Sequence, residues 1–270
     1  MTLRLAAQEH LLDGDTLVEK YEFARSVGFD GVELLGRGDG EFARRADEIA
    51  EARRAGVVLV GATVVMDHFI ADWSDDLRRD AREQLKLMLT GVAAAGGVGV
   101  VTPNAFGQFS RHLPPFTPPR PDDESRAILV EAVAELGDHA ASEGVSILLE
   151  PLNRFEDFMV NRLADAVSII EEAGSAGAGV CADTFHMSIE ESDVGAAIRA
   201  AGAHIRHVQL GDSNRLEPGA GHYDWAETIE ALADIGYDGW VTMECGLSGP
   251  PAEVLPKVSA LFAHGGRKSS

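Results

Sequence analysis

The sequence predicts an α/β fold, a single (β/α)8 (TIM) barrel, on three observations. Short β-type runs alternate with helical stretches, eight of each, along 270 residues. Alternating βα units build parallel sheets, and eight of them fill about 250 residues when they close. No linker-like stretch divides the chain, so residues 1–264 are expected to form one barrel domain, with 265–270 a frayed, flexible tail. An open doubly wound sheet is the alternative, weakened because no Gly-x-Gly-x-x-Gly follows the first run.

The first half sets the beat. Residues 3–7 form a strand, and Asp15 or Thr16 caps a helix to Val27 with Leu17, Tyr21 and Ala24 at helical spacing. Strand 32–35 carries Glu33 opposite Val32 and Leu34, which turns it to the barrel mouth. Helix 41–55 stops at Gly56, and strand 57–65 runs into a loop with Asp67, His68 and Trp73. Helix 75–95 ends at Gly96-Gly97, and strand 98–101 follows. The stretch 102–123 breaks the pattern with Pro114, Pro115, Pro118, Pro119 and Pro121 among Phe106, Phe109 and Phe116. A loop this long in a compact domain is usually functional, so it reads as a lid or an oligomer contact. Helix 124–143 resumes the alternation.

The second half repeats it: strand 145–150 and helix 163–173, strand 179–183 and helix 192–201, strand 204–210 and helix 224–235, strand 239–244 and helix 252–263. Each of these four strands stops on an oxygen donor: Glu150, Asp183, Gln209 and Glu244. Barrel enzymes keep their chemistry at this end of the strands. Alternation lets all four point inward, and three carboxylates in one pocket repel unless a cation neutralises them. Hard oxygen donors suit Mg²⁺ or Mn²⁺. His207 lies one inward position deeper than Gln209 and reads as a hydrogen-bonded core histidine. His186 and Arg215, in the loops after the sixth and seventh strands, are placed to hold substrate oxygens. Asp224 before Trp225 reads as a helix cap.

Composition narrows the partners. The formal charge is −21, opposite to what a phosphate backbone attracts, so no nucleic-acid partner is expected. Cys181 and Cys245 have no zinc-type spacing and read as buried filler. With no signal peptide and no 18-residue apolar run, no membrane partner is expected and the cytoplasm is the expected compartment.

Taken together, Glu150-Pro-Leu-Asn-Arg-Phe-Glu156, Asp183-Thr-Phe-His-Met187, Gly211-Asp-Ser-Asn-Arg215 with Pro218-Gly-x-Gly221, and Met243-Glu244 resemble the xylose isomerase-like TIM-barrel sugar isomerases and epimerases. Within that group the ketose 3-epimerases of the D-tagatose and D-psicose type are the nearest likeness, strong over residues 143–247 and topological before that. The resemblance implies one divalent ion (Mn²⁺, Mg²⁺ or Co²⁺) held by Glu150, Asp183, Gln209 and Glu244, with Glu150 and Glu244 as the acid–base pair. It places Glu156, His186 and Arg215 against substrate oxygens. It implies a small sugar or keto-sugar substrate, and a homodimer or homotetramer would fit it. The epimerases have histidine where this chain has Gln209, and there the chain resembles the hydroxypyruvate isomerase branch.

A two-glutamate site beside a polarised ketone removes and returns a proton through an enediolate. Return to the opposite face is epimerisation, return to the neighbouring carbon is isomerisation, and loss of a β-leaving group is elimination; all three stay open. An apurinic-endonuclease barrel and a noncatalytic sugar-binding barrel are the remaining alternatives. The few strand-end histidines and the −21 charge weigh against the first, and the paired glutamates against the second.

Overall fold

In a computed structural model, residues 3–107 and 117–266 are described. Residues 108–116, the middle of the expected lid, and 267–270 of the expected tail lie outside them. Eight parallel strands close into a barrel in chain order, β1 to β8, with β1 paired to β8. They are β1 Arg4–Gln8, β2 Gly31–Arg37, β3 Leu59–Val65, β4 Gly99–Thr102, β5 Ser146–Leu149, β6 Ala178–Asp183, β7 Ile205–Leu210 and β8 Trp240–Met243. The expected barrel is therefore the fold.

The helices around it are α1 Leu17–Ser26, α2 Glu41–Arg44, α3 Ala46–Arg54, α4 Asp75–Ala95, α5 Asp122–Glu143, α6 Leu163–Ala173, α7 Thr184–Glu190, α8 Val194–Ala201, α9 Trp225–Asp234 and α10 Pro251–Ala263. Local chemistry sets many of their ends. Thr16, rather than Asp15, caps α1 in a capping box with Glu19. Asp224 caps α9 by accepting from the Glu227 amide at 3.1 Å. Gly96 ends α4 at φ +81°, a backbone region that glycine enters without a Cβ clash.

The structure departs from the expected elements in two places. The single helix expected over 41–55 is split at Arg45, whose guanidinium reaches back to both carboxylate oxygens of the buried Glu9 at 2.7 and 2.8 Å. The segment after Asp183, expected as loop, is the short helix α7, and Asp183 caps it by accepting from the Phe185 amide at 2.7 Å.

Most of the core lies between the barrel and its jacket of helices, around Phe29, Leu34, Leu85, Leu89, Leu136, Ile147 and Val241. Two smaller groups belong to the barrel interior: Ala6, Val60 and Trp240, and Val101, Leu148 and Cys181. Strand alternation puts Glu150 above Leu148 and Asp183 above Cys181, so each acid stands on an apolar floor. At the mouth, Trp73 is clamped between the Arg120 guanidinium at 4.6 Å and the Phe158 ring at 5.7 Å. That clamp ties the loops after β3, β4 and β5 together on the side facing the acids. Among the described residues no helix is long and apolar enough to cross a membrane.

Candidate active site

Of the four strand-end donors, Glu150, Asp183 and Glu244 come together, while the Gln209 side chain bonds elsewhere. Glu150, Glu156, His186, Arg215 and Glu244 line one cavity of about 270 Å³ at the C-terminal mouth. Most of the rest of its lining is apolar: Val64, Val65, Met66, Phe69, Phe106 and Leu152. Asp183 adjoins the polar wall through Arg215, whose Nη1 donates to Asp183 Oδ2 at 2.5 Å while Nη2 donates to Glu244 Oε2 at 3.1 Å. The guanidinium also lies 4.7 Å above the Phe185 ring. One cation thus bridges two of the three strand-end carboxylates. Arg215 reaches them from a left-handed backbone position, φ +59°, of the kind non-glycine residues occupy mainly where surrounding structure enforces it.

The loop carrying Arg215 is built around Asp212. Its Oδ1 accepts from the Ser213 and Tyr223 amides, and its Oδ2 from the Gly219 amide and the Trp225 indole. Burial opposes the Asp212 charge, but these donors outweigh it and hold the carboxyl below the usual range. Gly221 of the Pro218-Gly-x-Gly221 motif passes so close that a Cβ there would stand 2.2 Å from Asp212 Oδ1, which explains the glycine.

Gln209 sits lower. Its side chain is fully buried; Nε2 donates to Thr63 Oγ1 at 2.8 Å and to Glu33 Oε2 at 3.4 Å, and Oε1 accepts from the Cys181 thiol at 3.1 Å. Glu33 does point inward, but beneath the mouth, with no exposed surface. His207 is buried as expected, but neither ring nitrogen makes the expected hydrogen bond; its Nε2 stands 2.7 Å from Glu33 Oε1 without the alignment of one.

Burial and mutual repulsion set the charges. Burial first, then the Glu244 and Asp183 charges, pushes Glu150 well above the usual carboxylate range. Burial, aided by Asp183 and Glu33 against the pull of Arg215, raises Glu244 to about 8. Burial opposes ionisation at Asp183 too, but Arg215 and then His186 prevail and hold it low. Burial also raises Glu156, against the pull of Arg215. Two glutamates raised above the usual carboxylate range beside one aspartate held below it form the kind of split environment that assigns acid and base roles.

His186 resolves by its tautomer. Burial pushes the ring down to about 4, so it is neutral at pH 7. The Asn153 backbone amide donates to Nδ1 at 3.0 Å, which fixes the ring proton on Nε2. Nε2 lies 3.5 Å from Glu150 Oε1 and 3.8 Å from both Glu156 Oε2 and Asp183 Oδ2. Glu150, Asp183 and His186 together bring three metal-capable atoms within 4.8 Å of one another. An Nε2–H cannot ligate, so within this trio only the carboxylates could hold an ion, and the His186 Nε2–H faces Glu150. Glu150 Oε1 is buried with no hydrogen-bond partner, the condition a bound cation relieves.

Several residues that shape the site were not marked by the sequence. Gln8 ends β1 one residue past the expected strand and donates to both Glu33 and Glu244. Asn153 was quoted only as part of a motif, and Thr63 is an unremarkable strand residue until the barrel closes. Arg154, beside them in the motif, turns away to pair with Glu190 at 2.9 Å.

A family model described as xylose isomerase-like TIM barrel matches residues 21–262. The chain belongs to that family. This xylose isomerase-like barrel is 31% identical over 243 residues to the 3-dehydro-D-guloside 4-epimerase of Escherichia coli (strain K12), covering 90% of this chain and 92% of that protein. The apo structure of 3-keto-D-glucoside 4-epimerase from E. coli superposes with a TM-score of 0.90 at 30% identity, over 97% of this chain and 100% of that one. A D-psicose 3-epimerase of Ruminiclostridium cellulolyticum is 45% identical over 115 residues, which span 43% of this chain and 39% of that protein. These relatives are sugar epimerases, and this member of the xylose isomerase-like family is an enzyme of the isomerase and epimerase class.

The loop that supplies Asn153 and Glu156 contains its own titrating group. Asp157 is fully buried, and burial raises it to about 7 against the Met159 and Phe158 amides that bond to it. An unfolded aspartate titrates near 3.9. Between those values the native state binds a proton that the unfolded chain has lost, so Asp157 makes stability fall as pH rises from about 4 to about 7. The full span is worth on the order of 4 kcal/mol. Urea denaturation at pH 5 and pH 8 should show that Asp157→Asn flattens the slope relative to wild type; an unchanged slope would mean Asp157 is ionised in the native protein.

Proposed function

We propose that this enzyme is a divalent-metal-dependent epimerase that inverts the hydroxyl-bearing carbon beside the ketone of a keto-sugar. Glu150 and Glu244 carry the reading: a buried and a partly buried glutamate, at the ends of β5 and β8, lining the same cavity. Inversion needs one group to take a proton from one face of the carbon and a second to deliver one to the other. The ionised glutamate takes the C–H proton, leaving an enediolate; the protonated one returns its proton to the opposite face. His186 donates from Nε2 toward a substrate hydroxyl or the enediolate oxygen. Arg215 supplies positive charge on the same side and Glu156 accepts from a hydroxyl, while the apolar wall excludes water from the exchange.

The donor set fits a hard divalent cation, Mn²⁺, Mg²⁺ or Co²⁺. Glu150, Asp183, Gln209 and Glu244 would hold it, with Gln209 exchanging its weak thiol donor for the ion. When bound, such an ion would polarise the ketone and offset the charge of the enediolate.

A 3-keto-glycoside inverted at C4 is the first substrate reading, because the match to the 4-epimerase runs through nearly the whole chain. A free ketose inverted at C3 is the second, favoured by the 45% identity to the D-psicose enzyme over its shorter stretch. Incubation with Mn²⁺ in deuterated water, with 3-keto-glucosides and D-psicose in parallel, decides between them by NMR. Deuterium should appear at the inverted carbon of one class. Absence of both inversion and exchange across the two classes would rule out the epimerase reading.

A further inference from the structure

Gln8 is the last residue of β1, and the barrel puts it between two carboxylates. Register pairs it with Glu33 on β2, and the β1–β8 ladder ends at Ala7 and Met243, one residue short of Gln8 and Glu244. Its Nε2 donates to Glu33 Oε2 at 3.1 Å and to Glu244 Oε1 at 3.1 Å. A primary amide has two N–H groups, and both are used. Glu33 is fully buried and also accepts from Thr63 Oγ1 at 2.9 Å. A flipped Gln8 amide would set its oxygen against two carboxylates, so the anion below fixes which way the amide faces. Glu244 Oε2 is taken by Arg215, which leaves Gln8 as the donor that sets Oε1.

We propose that Gln8, oriented by Glu33, is the positioning residue that holds the Glu244 carboxylate in its working geometry. This rests on the role given above to Glu244 in proton transfer and metal binding. Gln8 acts through Glu244 and lines no part of the cavity wall.

The test uses Gln8→Met, which keeps length and removes both donors, and Glu33→Gln, which keeps shape and an acceptor oxygen but removes the anion. Mn²⁺ affinity is measured by calorimetry on the metal-free full-length protein, and kcat and KM on the Mn²⁺-loaded enzyme, after thermal melting has shown that each variant is folded. Partners one shell removed from a metal ligand typically contribute about 10–100-fold to affinity or activity. Gln8→Met should therefore weaken Mn²⁺ binding about 10-fold and lower kcat by about 10–100-fold with KM within about 3-fold. Glu33→Gln should give the same pair of losses at smaller size. In a Glu244→Gln background, Gln8→Met should cost far less further Mn²⁺ affinity than it does in the wild type, since its direct contact with the Glu244 carboxylate is gone. Wild-type affinity and kcat in either variant, or losses that multiply with those of Glu244→Gln, overturn the positioning role. If Glu244→Gln alone leaves Mn²⁺ binding and turnover intact, the function proposed above fails, and this inference with it.

Discussion

Glu150→Gln and Glu244→Gln should each lower epimerisation at least about 10²-fold, and up to about 10⁴-fold, the range over which a positioned acid or base accelerates proton transfer. Glutamine keeps the size and an oxygen donor, so metal should remain partly bound while the proton carrier is lost. The double variant should be little worse than the more damaged single one, because both glutamates serve one proton relay. Exchange in deuterated water separates their roles. In the variant that lacks the abstracting base, no deuterium should enter the substrate carbon; in the other, exchange should persist without inversion. Near wild-type turnover in both single variants would exclude the two-glutamate mechanism and leave only the barrel standing.

Asp183→Asn should abolish metal retention and activity together. Asp183 is the carboxylate of the site that the protein keeps ionised, through Arg215 on Oδ2 and the Phe185 amide on Oδ1. Asparagine can still cap α7, so the helix should survive. It removes the charge that balances Arg215, and with it the hardest donor of the set. Loss of a side chain that would touch the ion should exceed the roughly 10–100-fold typical of partners that only orient such side chains, so dialysed Asp183→Asn protein should carry almost no metal by mass spectrometry of the ashed sample. Full occupancy after dialysis would remove Asp183 from the ligand set.

Arg215 marks where sequence and structure divide. The resemblance implies a substrate contact there, and Arg215 lines the cavity. No pattern in the chain indicates that it spans Asp183 and Glu244 from a left-handed backbone position held by the Asp212 loop. His186 is similar. Its residue type and place after β6 were legible, but its tautomer is set by an amide 33 positions earlier in the chain.

By itself, the sequence determined the eightfold alternation, the barrel it closes into, and the acids at the ends of β5, β6 and β8. These follow from period-two and helical spacing and from local caps, which are properties of neighbours along the chain. Only the tertiary structure decided that Gln209 sits a storey below the mouth, that Glu33 is a buried anchor rather than a mouth residue, and that Gln8 joins it to Glu244. It also decided that Arg45, between α2 and α3, pairs with Glu9. Each of these is a charge or amide whose partner lies on another strand or helix. In a low-dielectric interior such groups are settled by whichever donor or acceptor the closed barrel brings within 3 Å or so, and no local pattern encodes that distance.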